Sequence, residues 1–314
     1  MSWQPGATPD RLRARSELLR RVRGFLEARG VMEVDTPVLG RHSVSEPAID
    51  SIRAESPGFE GFLQTSPEYC MKRLLAAGSG PIYQLGPVFR AGESGRRHNP
   101  EFTLLEWYRP GFSLDRLMDE VAALVGSILK LESPAHLEYR QLFRDHAGVD
   151  PWLDGDDVIR GRAAGQTGLD PAELTRGEAL DLLMSHDVEA ALAGMGAIFV
   201  RGYPPDQAAL AVKESENGVE VAQRFELYVQ GVELCNGYRE LTDPDEQRAR
   251  FERDNQHRRA QGKPEMPPDP GLLGALEAGL PDCSGVALGF DRLLMLYTGA
   301  RHIDEILPFS RQRL

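Results

Sequence analysis

The 314-residue sequence predicts an α+β fold in which an antiparallel β-sheet is flanked by helices. Three observations predict it. Apolar residues recur at helical spacing near both ends of the chain. Two pairs of strands, at 88–109 and 224–241, are each joined by a polar connection, and the second pair has Gln230 and Gly231 at its turn. A strand that ends at Gly289 leads directly into a helix.

The first elements are a long helix and a strand. Thr8 is a predicted N-cap and Pro9 suits the first helical position. Gly30 is placed to end the helix. The alternating segment 31–39 then predicts a strand, in which Pro37 indicates a sheet edge or an interface.

The middle of the chain alternates loops and helices. Residues 40–62 predict loop and short strand, and a helix begins near Ser66 with Pro67 and Glu68 in its first turn. Leucine and valine at helical spacing predict an amphipathic helix over 113–131. From about 140 to 212 the pattern weakens into short helices.

These elements favour one domain over several. With 41% hydrophobic residues, the chain is long enough for one large core with a modest addition. We therefore expect one catalytic domain over 1–314, with an α-rich insertion at about 140–212.

The net charge of −12 disfavours a broad nucleic-acid surface, because phosphate binding needs clustered Lys and Arg. A local cluster does lie in the first predicted helix. The solvated face of that helix explains the cluster, and a docking surface for an acidic partner is the alternative. Its members are Arg11, Arg13, Arg15, Arg20, Arg21 and Arg23.

Cysteine usage and hydropathy indicate a cytoplasmic protein. Cys70, Cys235 and Cys283 are isolated and lack the spacing of a metal site, which suits a reducing compartment. No segment resembles a signal peptide, and no apolar run approaches the ~18 residues that span a bilayer. We therefore expect no membrane partner.

The connection of the first strand pair concentrates hydrogen-bond donors that suit a polyphosphate. They are Arg90, Arg96, Arg97 and His98. In the strand that follows, alternation places Phe102, Glu106 and Tyr108 on one face. A carboxylate in so apolar a strand is costly to bury without a partner. Glu106 is therefore either a buried group with partners or a solvent-facing residue of a half-exposed sheet.

The C-terminal strand and helix contain a second feature of this kind. Arg292 lies in the first turn of the helix, where the helix dipole disfavours a cation. An exposed arginine is the common explanation. Gly289 would also permit close backbone approach, so an anion at the helix start would satisfy both the helix and the arginine.

Polar residues also cluster on the second strand pair. They are Glu226, Glu233, Asn236, Tyr238 and Glu240. Strict alternation places the last three on one face and Glu233 on the other. The cluster is then an ordinary polar sheet face, unless a bulge changes the alternation.

Two stretches carry a family resemblance. VFRAGESGRRHNPEFTLLEWYR (88–109) and GVALGFDRLLML (285–296) resemble motifs 2 and 3 of the class II aminoacyl-tRNA synthetases, in the lysyl branch. The predicted first helix and strand resemble motif 1, the dimerisation motif. The resemblance implies a class II aminoacyl-tRNA synthetase catalytic core that uses ATP and Mg²⁺ and forms a homodimer.

The resemblance also implies roles in ATP binding. Arg90 would bind the α-phosphate and the substrate carboxylate region, Arg292 the γ-phosphate, and Phe102 the adenine ring. Glu226 and Glu233 would hold Mg²⁺, as hard carboxylate oxygens should. The full set implied to bind ATP is Arg90, Gly92, Glu93, Arg97, His98, Asn99, Phe102, Glu233, Leu234, Gly289 and Arg292.

One position departs from the family pattern. Lysyl synthetases read FR-x-E, whereas this chain has Glu93 three places after Arg90. Either Glu93 reaches the adenine amino group from a shifted position, or the backbone near Gly92 does so.

The implied amino-acid pocket contains two carboxylates. A lysine substrate carries two cations, and Glu68 and Glu240 fit the family's ammonium-binding positions. Ala287 stands where the synthetases have glycine; its methyl group is either harmless or favours a β-amino isomer by about 1–3 kcal/mol. The residues implied to line the pocket are Ser66, Glu68, Tyr108, Asn236, Tyr238, Glu240 and Ala287.

Lysyl-tRNA synthetases carry an anticodon-binding barrel ahead of motif 1, whereas here the motif 1 helix begins near Pro9, so we expect no such domain. The chain thus resembles the free-standing elongation factor P–(R)-β-lysine ligases. This implies that (R)-β-lysine (or lysine) is activated as an adenylate and transferred to the ε-amine of a lysine on elongation factor P, without tRNA as a partner.

Three other functions stay open. They are a minimal lysyl-tRNA synthetase, an ammonia-dependent asparagine synthetase and a non-catalytic regulatory paralogue. Two carboxylates, Glu68 and Glu240, fit poorly with an acidic amino acid. A regulatory paralogue usually loses phosphate-binding arginines or metal carboxylates, whereas Arg90 and Arg292 remain here.

Overall fold

The computed structural model of the chain describes residues 3–216 and 218–313. The helices are α1 (Pro9–Glu27), α2 (Glu68–Ala76), α3 (Leu114–Leu129), α4 (Tyr139–Leu142), α5 (Asp156–Thr167), α6 (Arg176–Leu183), α7 (Glu189–Leu192), α8 (Pro244–Ala260), α9 (Pro270–Gly279) and α10 (Phe290–Thr298). The strands are β1 (Met32–Glu33), β2 (Leu39–Gly40), β3 (Arg53–Ser56), β4 (Phe59–Leu63), β5 (Ile82–Phe89), β6 (Glu101–Pro110), β7 (Ala135–Glu138), β8 (Ala197–Tyr203), β9 (Lys213–Glu216), β10 (Val219–Val229), β11 (Val232–Arg239) and β12 (Cys283–Gly289).

The chain divides into two compact units. Unit 1 consists of Met1–Ser113 and Leu241–Leu314, and unit 2 is the continuous segment Leu114–Glu240. Each has mostly antiparallel strands flanked by helices, which confirms the predicted α+β class. That all of the chain serves as one catalytic domain with an insertion stays a prediction.

Unit 1 contains strands in the order β1-β5-β6-β12 and a small sheet in the order β2-β4-β3. Strands β5, β6 and β12 pair antiparallel, and the short β1 runs parallel to β5. A core that includes Leu75, Tyr108, Phe251 and Leu272 packs α2, α8 and α9 against this sheet. In this sheet β6 lies between β5 and β12, and it contains Tyr108, one of the residues predicted to bind the substrate.

The strand predicted over 31–39 is much shorter in the structure. Only Met32 and Glu33 pair in register with β5, and the Val34 N–H still donates to the Tyr83 carbonyl at 2.8 Å. Pro37 lacks an N–H and cannot extend such a ladder. The chain then turns to a different sheet, in which Leu39 lies opposite Leu63 of β4.

Unit 2 contains strands in the order β11-β10-β8-β7, with β9 on β10. Helices α4 to α7 cover the segment 139–192, and π-helical turns follow α4 and α6. A separate core, which includes Phe143, Ile159, Leu180 and Val200, joins these helices to the sheet. The hairpin of β10 and β11 turns at Gln230 and Gly231 as predicted, with φ values of +52° and +70°.

The helix boundaries follow the capping chemistry of the sequence. The Thr8 side chain accepts a hydrogen bond from the Arg11 N–H at 3.4 Å, so Thr8 caps α1 as predicted. Within 3–216 and 218–313, no helix combines the length and the apolar character needed to cross a bilayer.

Candidate active site

Glu106 of β6 is the centre of a buried hydrogen-bonded group in unit 1. It is 2% exposed, its Oε2 accepts a hydrogen bond from Ser66 Oγ at 2.7 Å, and its Oε1 accepts one from the Tyr108 hydroxyl at 2.7 Å. Each carboxylate oxygen of Glu106 thus accepts a hydrogen bond, as buried polar atoms normally do. The solvent-facing alternative for Glu106 is wrong.

Ala287 lies beside this group. In the antiparallel pairing of β12 with β6 it is directly opposite Glu106, and such partners point to the same face of a sheet. Along β12 only Ala287 and Gly289 are partly exposed, whereas the other residues of the strand are buried. The structure therefore places Ser66, Tyr108 and Ala287 around Glu106; Ser66 and Ala287 are partly exposed, whereas Tyr108 is buried.

Glu68 begins α2 next to the same group. Its N–H donates to Ser66 Oγ at 3.0 Å, although the helix starts one residue later than expected, with Pro67 at the cap. The Glu68 carboxylate lies 2.7 Å from Lys72 Nζ, and the Lys72 side chain is only 1% exposed. Lys72 is not among the residues expected from the sequence, although its i,i+4 spacing from Glu68 places both on one helix face.

Arg90 and Phe102 lie together where the strand pair β5–β6 opens into its connection. The Arg90 guanidinium carbon is 5.1 Å from the centroid of the Phe102 ring, within the range of a cation–π contact. Arg90 Nε donates to the Thr65 carbonyl at 3.4 Å, and its Nη1 lies 3.5 Å from Glu93 Oε1. Glu93 thus forms an ion pair with Arg90, and the exposed Gly92 before it has φ +77°.

Arg292 of α10 contacts the connection between β5 and β6. Its Nη2 lies 2.7 Å from His98 Nε2. Because an arginine can only donate, this hydrogen bond requires His98 Nε2 to be the unprotonated acceptor. Gly289 is the N-cap of α10 and offers no side chain to the first-turn N–H groups. Backbone N–H groups and Arg292 are thus placed together at a helix start, an arrangement that suits an anion.

Asn99 has a different environment from the exposed His98. It is 8% exposed, its Nδ2 donates to the Glu101 carbonyl at 2.6 Å, and its Oδ1 accepts from the Arg311 N–H at 3.1 Å. Its amide therefore fixes the connection and the C-terminal segment. Arg97 is half-buried in the same connection.

The hairpin of β10 and β11 in unit 2 contains a β-bulge. Glu226 lies opposite Asn236, and Tyr228 lies opposite Glu233, so Leu234 is the extra residue on β11. Opposed residues, and residues two apart on a strand, share a face. The bulge therefore places Glu233 on the face of Glu226 and Asn236, which strict alternation excludes.

Glu226 is held firmly on that face. Its Oε1 accepts from Arg224 Nη2 at 2.5 Å, and its Oε2 accepts from the Tyr228 hydroxyl at 2.6 Å. Burial raises the pKa of Tyr228 well above its usual value, and the Glu226 charge adds to the rise, so this hydroxyl keeps its proton. Asn236 Nδ2 donates to the Tyr238 hydroxyl at 2.9 Å.

Leu234 and Glu240 are both buried in unit 2. The bulge residue Leu234 is 1% exposed, and Glu240 is 3% exposed after the end of β11. Glu240 forms an isolated antiparallel bridge with Ala211, which fixes its backbone.

The acidic residues of the hairpin suit a divalent cation whose remaining ligands come from phosphates and water. No group of three or more His, Cys, Asp or Glu side chains in the described part of the chain could enclose a metal ion by itself. Glu226 and Glu233 nevertheless share one face, with both oxygens of Glu226 oriented by hydrogen bonds. Mg²⁺ typically takes one or two carboxylates together with substrate phosphates and water, so this donor set suits it.

A protein family and several known proteins match nearly the full length of this chain. The family model described as tRNA synthetases class II (D, K and N) matches residues 4–313. A protein named elongation factor P--(R)-beta-lysine ligase from Photorhabdus laumondii subsp. laumondii is 46% identical over 98% of this chain and 97% of that protein. Proteins of the same name from Proteus mirabilis and Vibrio campbellii are 45% and 46% identical, and the alignments cover 99% and 98% of this chain and 98% of each relative. The chain therefore belongs to the family of class II tRNA synthetases (D, K and N).

Proposed function

We propose that this chain is an ATP-dependent ligase that activates (R)-β-lysine, or lysine, and transfers it to a lysine side chain of elongation factor P. The observation that carries the proposal is the end-to-end similarity to ligases of that name, at 46% identity. The hydrogen-bonded groups around Glu106 and around Glu226 contain residues that we assign to this chemistry.

The first step joins the amino acid to AMP. The substrate carboxylate attacks the α-phosphorus of ATP, a new P–O bond forms, and the bond to pyrophosphate breaks. Arg90 is proposed to bind the α-phosphate and Phe102 the adenine ring. Arg292 would bind the γ-phosphate and Arg97 would reach the outer phosphates, with His98 near the nucleotide. Positioning and fixed positive charge, rather than covalent catalysis, then account for the rate.

Unit 2 is proposed to hold the metal ion. Glu226 and Glu233 would bind Mg²⁺, which, when bound, neutralises charge that develops on the phosphates. The orientation of Glu226 by Arg224 and Tyr228 supports this assignment.

The amino-acid substrate of the proposed reaction carries two ammonium groups. Glu68 and Glu240 are proposed to bind its two ammonium groups, with Asn236 and Tyr238 on the hairpin face as further ligands. Glu68 already pairs with Lys72 at 2.7 Å, so the substrate ammonium would share this carboxylate. Glu106 would keep Ser66 and Tyr108 in place beside the substrate.

The second step forms an amide. The ε-amine of the acceptor lysine attacks the acyl carbon of the adenylate, the C–N bond forms, and AMP leaves. We further propose that the enzyme is a cytoplasmic homodimer.

The test is ATP–pyrophosphate exchange with Mg²⁺, run in parallel with α-lysine, (R)-β-lysine and aspartate. We expect exchange with a lysine isomer and transfer of the labelled residue to purified elongation factor P, detected by mass. A matched control is elongation factor P whose acceptor lysine is replaced by arginine, which should stay unmodified.

Other outcomes distinguish the alternatives. Exchange with a lysine isomer but transfer only to tRNA would identify a minimal synthetase. Exchange with aspartate alone would favour an asparagine synthetase. Absence of exchange with every substrate, together with no ATP binding by calorimetry, would identify a regulatory paralogue.

A further inference from the structure

Arg224 of β10 links two side chains to which the proposed function gives separate roles. We propose that Arg224 is a positioning residue, which orients the metal-binding Glu226 and the substrate-binding Asn236 as one rigid group. The inference rests on the proposed function and adds a residue to it.

The contacts of Arg224 use three different nitrogen atoms. Nη2 donates to Glu226 Oε1 at 2.5 Å, Nε donates to Asn236 Oδ1 at 3.1 Å, and Nη1 donates to the Gln207 carbonyl at 2.8 Å. The first two acceptors are the functional side chains, and the third is a backbone carbonyl that fixes the guanidinium itself.

Aromatic rings hold the plane of the guanidinium. Its central carbon lies 4.3 Å from the centroid of the Tyr203 ring and 5.9 Å from that of Tyr238. The Arg224 side chain is 16% exposed and the Glu226 side chain 9%, so little water screens the ion pair between them. A planar cation fixed in this way donates in set directions, which a lysine ammonium cannot reproduce.

The arrangement predicts a coupled effect. Without the Arg224 fork, Glu226 keeps the Tyr228 hydroxyl on Oε2 but loses the donor on Oε1, and Asn236 loses the donor on its Oδ1. Partners that orient metal ligands typically change metal affinity by about 10- to 100-fold when removed. Metal affinity and amino-acid KM should therefore weaken together.

Two variants separate this role from a simple contribution to folding. Arg224→Lys keeps the charge, and Arg224→Met keeps the length without charge. The matched control is Arg201→Lys on the neighbouring strand, because Arg201 lies opposite Phe225 and pairs with Asp115 at 3.1 Å rather than with the hairpin face.

The first measurement is Mn²⁺ binding in the presence of a non-hydrolysable ATP analogue, followed by electron paramagnetic resonance, which needs no turnover. We expect Arg224→Lys to weaken Mn²⁺ binding by about tenfold or more. We also expect it to raise the KM for the lysine isomer in pyrophosphate exchange, while Arg201→Lys matches the wild type in both. Tyr228→Phe should weaken Mn²⁺ binding without raising that KM.

Each remaining outcome decides the inference. Wild-type Mn²⁺ affinity and KM in Arg224→Lys would overturn it, and so would unfolding of both Arg224 variants, since that indicates a structural role. If the wild type exchanges no amino acid, the proposed function fails, and the Mn²⁺ titration still decides whether Arg224 orients a metal carboxylate.

Discussion

Glu106 illustrates what the sequence can show about a single residue. Alternation in β6 correctly places it on the face of Tyr108, and the Tyr108 hydroxyl does bind it at 2.7 Å. Its second partner, Ser66, lies 40 positions earlier in the chain, so no local pattern reveals it. Burial of such a carboxylate depends on this long-range contact, which explains why the two readings of Glu106 could not be separated from sequence.

Ala287 allows the proposed substrate choice to be tested at one methyl group. Ala287 lies opposite Glu106 and is partly exposed, so its methyl group takes up space beside Glu106 that a glycine would leave open. We expect Ala287→Gly to raise kcat/KM for α-lysine relative to (R)-β-lysine by about 10- to 200-fold, the range that one methyl group has in a pocket. Pyrophosphate exchange with each isomer measures the ratio.

The control for this prediction is Ala278→Gly in α9, an exposed position outside the site. It should lower the stability of the helix by at most about 1 kcal/mol, since Ala278 is next to last in α9, and leave the ratio unchanged. An unchanged ratio in Ala287→Gly as well would show that the methyl group does not select the isomer.

Among the elements, the hairpin of β10 and β11 is partly predictable. Gly231 at its turn adopts φ +70°, which glycine tolerates without strain, and the turn could be placed for that reason. The bulge at Leu234 has no comparable signal, because leucine is an ordinary strand residue. Its position follows from how the two strands pack, and it alone decides the face of Glu233.

Helix α8 shows the opposite case, an element held mainly by polar contacts. Phe251 is its one buried apolar residue in the described structure, whereas Arg258 is 1% exposed. Arg258 donates to the carbonyls of Pro264 at 2.7 Å and Glu46 at 3.2 Å. Hydrophobic periodicity therefore carries little information about α8, and the residues that it buries cannot be predicted from apolar spacing.

Arg258 and its neighbour Arg259 give a matched pair of substitutions on α8. Arg258→Met should lower the free energy of unfolding by about 2–4 kcal/mol, because part-buried carbonyls lose a charged donor and Asp50 loses its ion pair with Arg258 at 3.3 Å. Arg259→Met, which removes surface ion pairs with Glu252 and Glu265, should change the free energy of unfolding much less, because solvent screens exposed ion pairs. Urea unfolding followed by circular dichroism compares the two, and equal losses would contradict a special role for Arg258.

For the whole molecule, the balance of charge bears on the acceptor. The chain carries 48 acidic and 36 basic residues, and its densest arginine cluster lies on α1. Arg11 pairs with Glu305 at 2.6 Å, Arg15 with Asp291 at 2.5 Å, and Arg23 with Glu33 at 2.9 Å. These arginines form ion pairs within the protein, which favours a structural role for the cluster over a docking surface.

This balance of charge predicts a low affinity for tRNA. Retention of a polyanion depends on Lys and Arg that neutralise phosphates, and each such contact steepens the dependence of affinity on salt. We therefore expect tRNA to bind only with a Kd in the non-specific range of about 10⁻⁶–10⁻⁴ M at physiological salt. Filter binding of labelled tRNA between 50 and 200 mM salt, with a lysyl-tRNA synthetase as positive control, measures both affinity and slope. A nanomolar Kd, with a salt dependence that indicates several neutralised phosphates, would show a nucleic-acid surface. The acceptor would then be tRNA rather than a protein lysine.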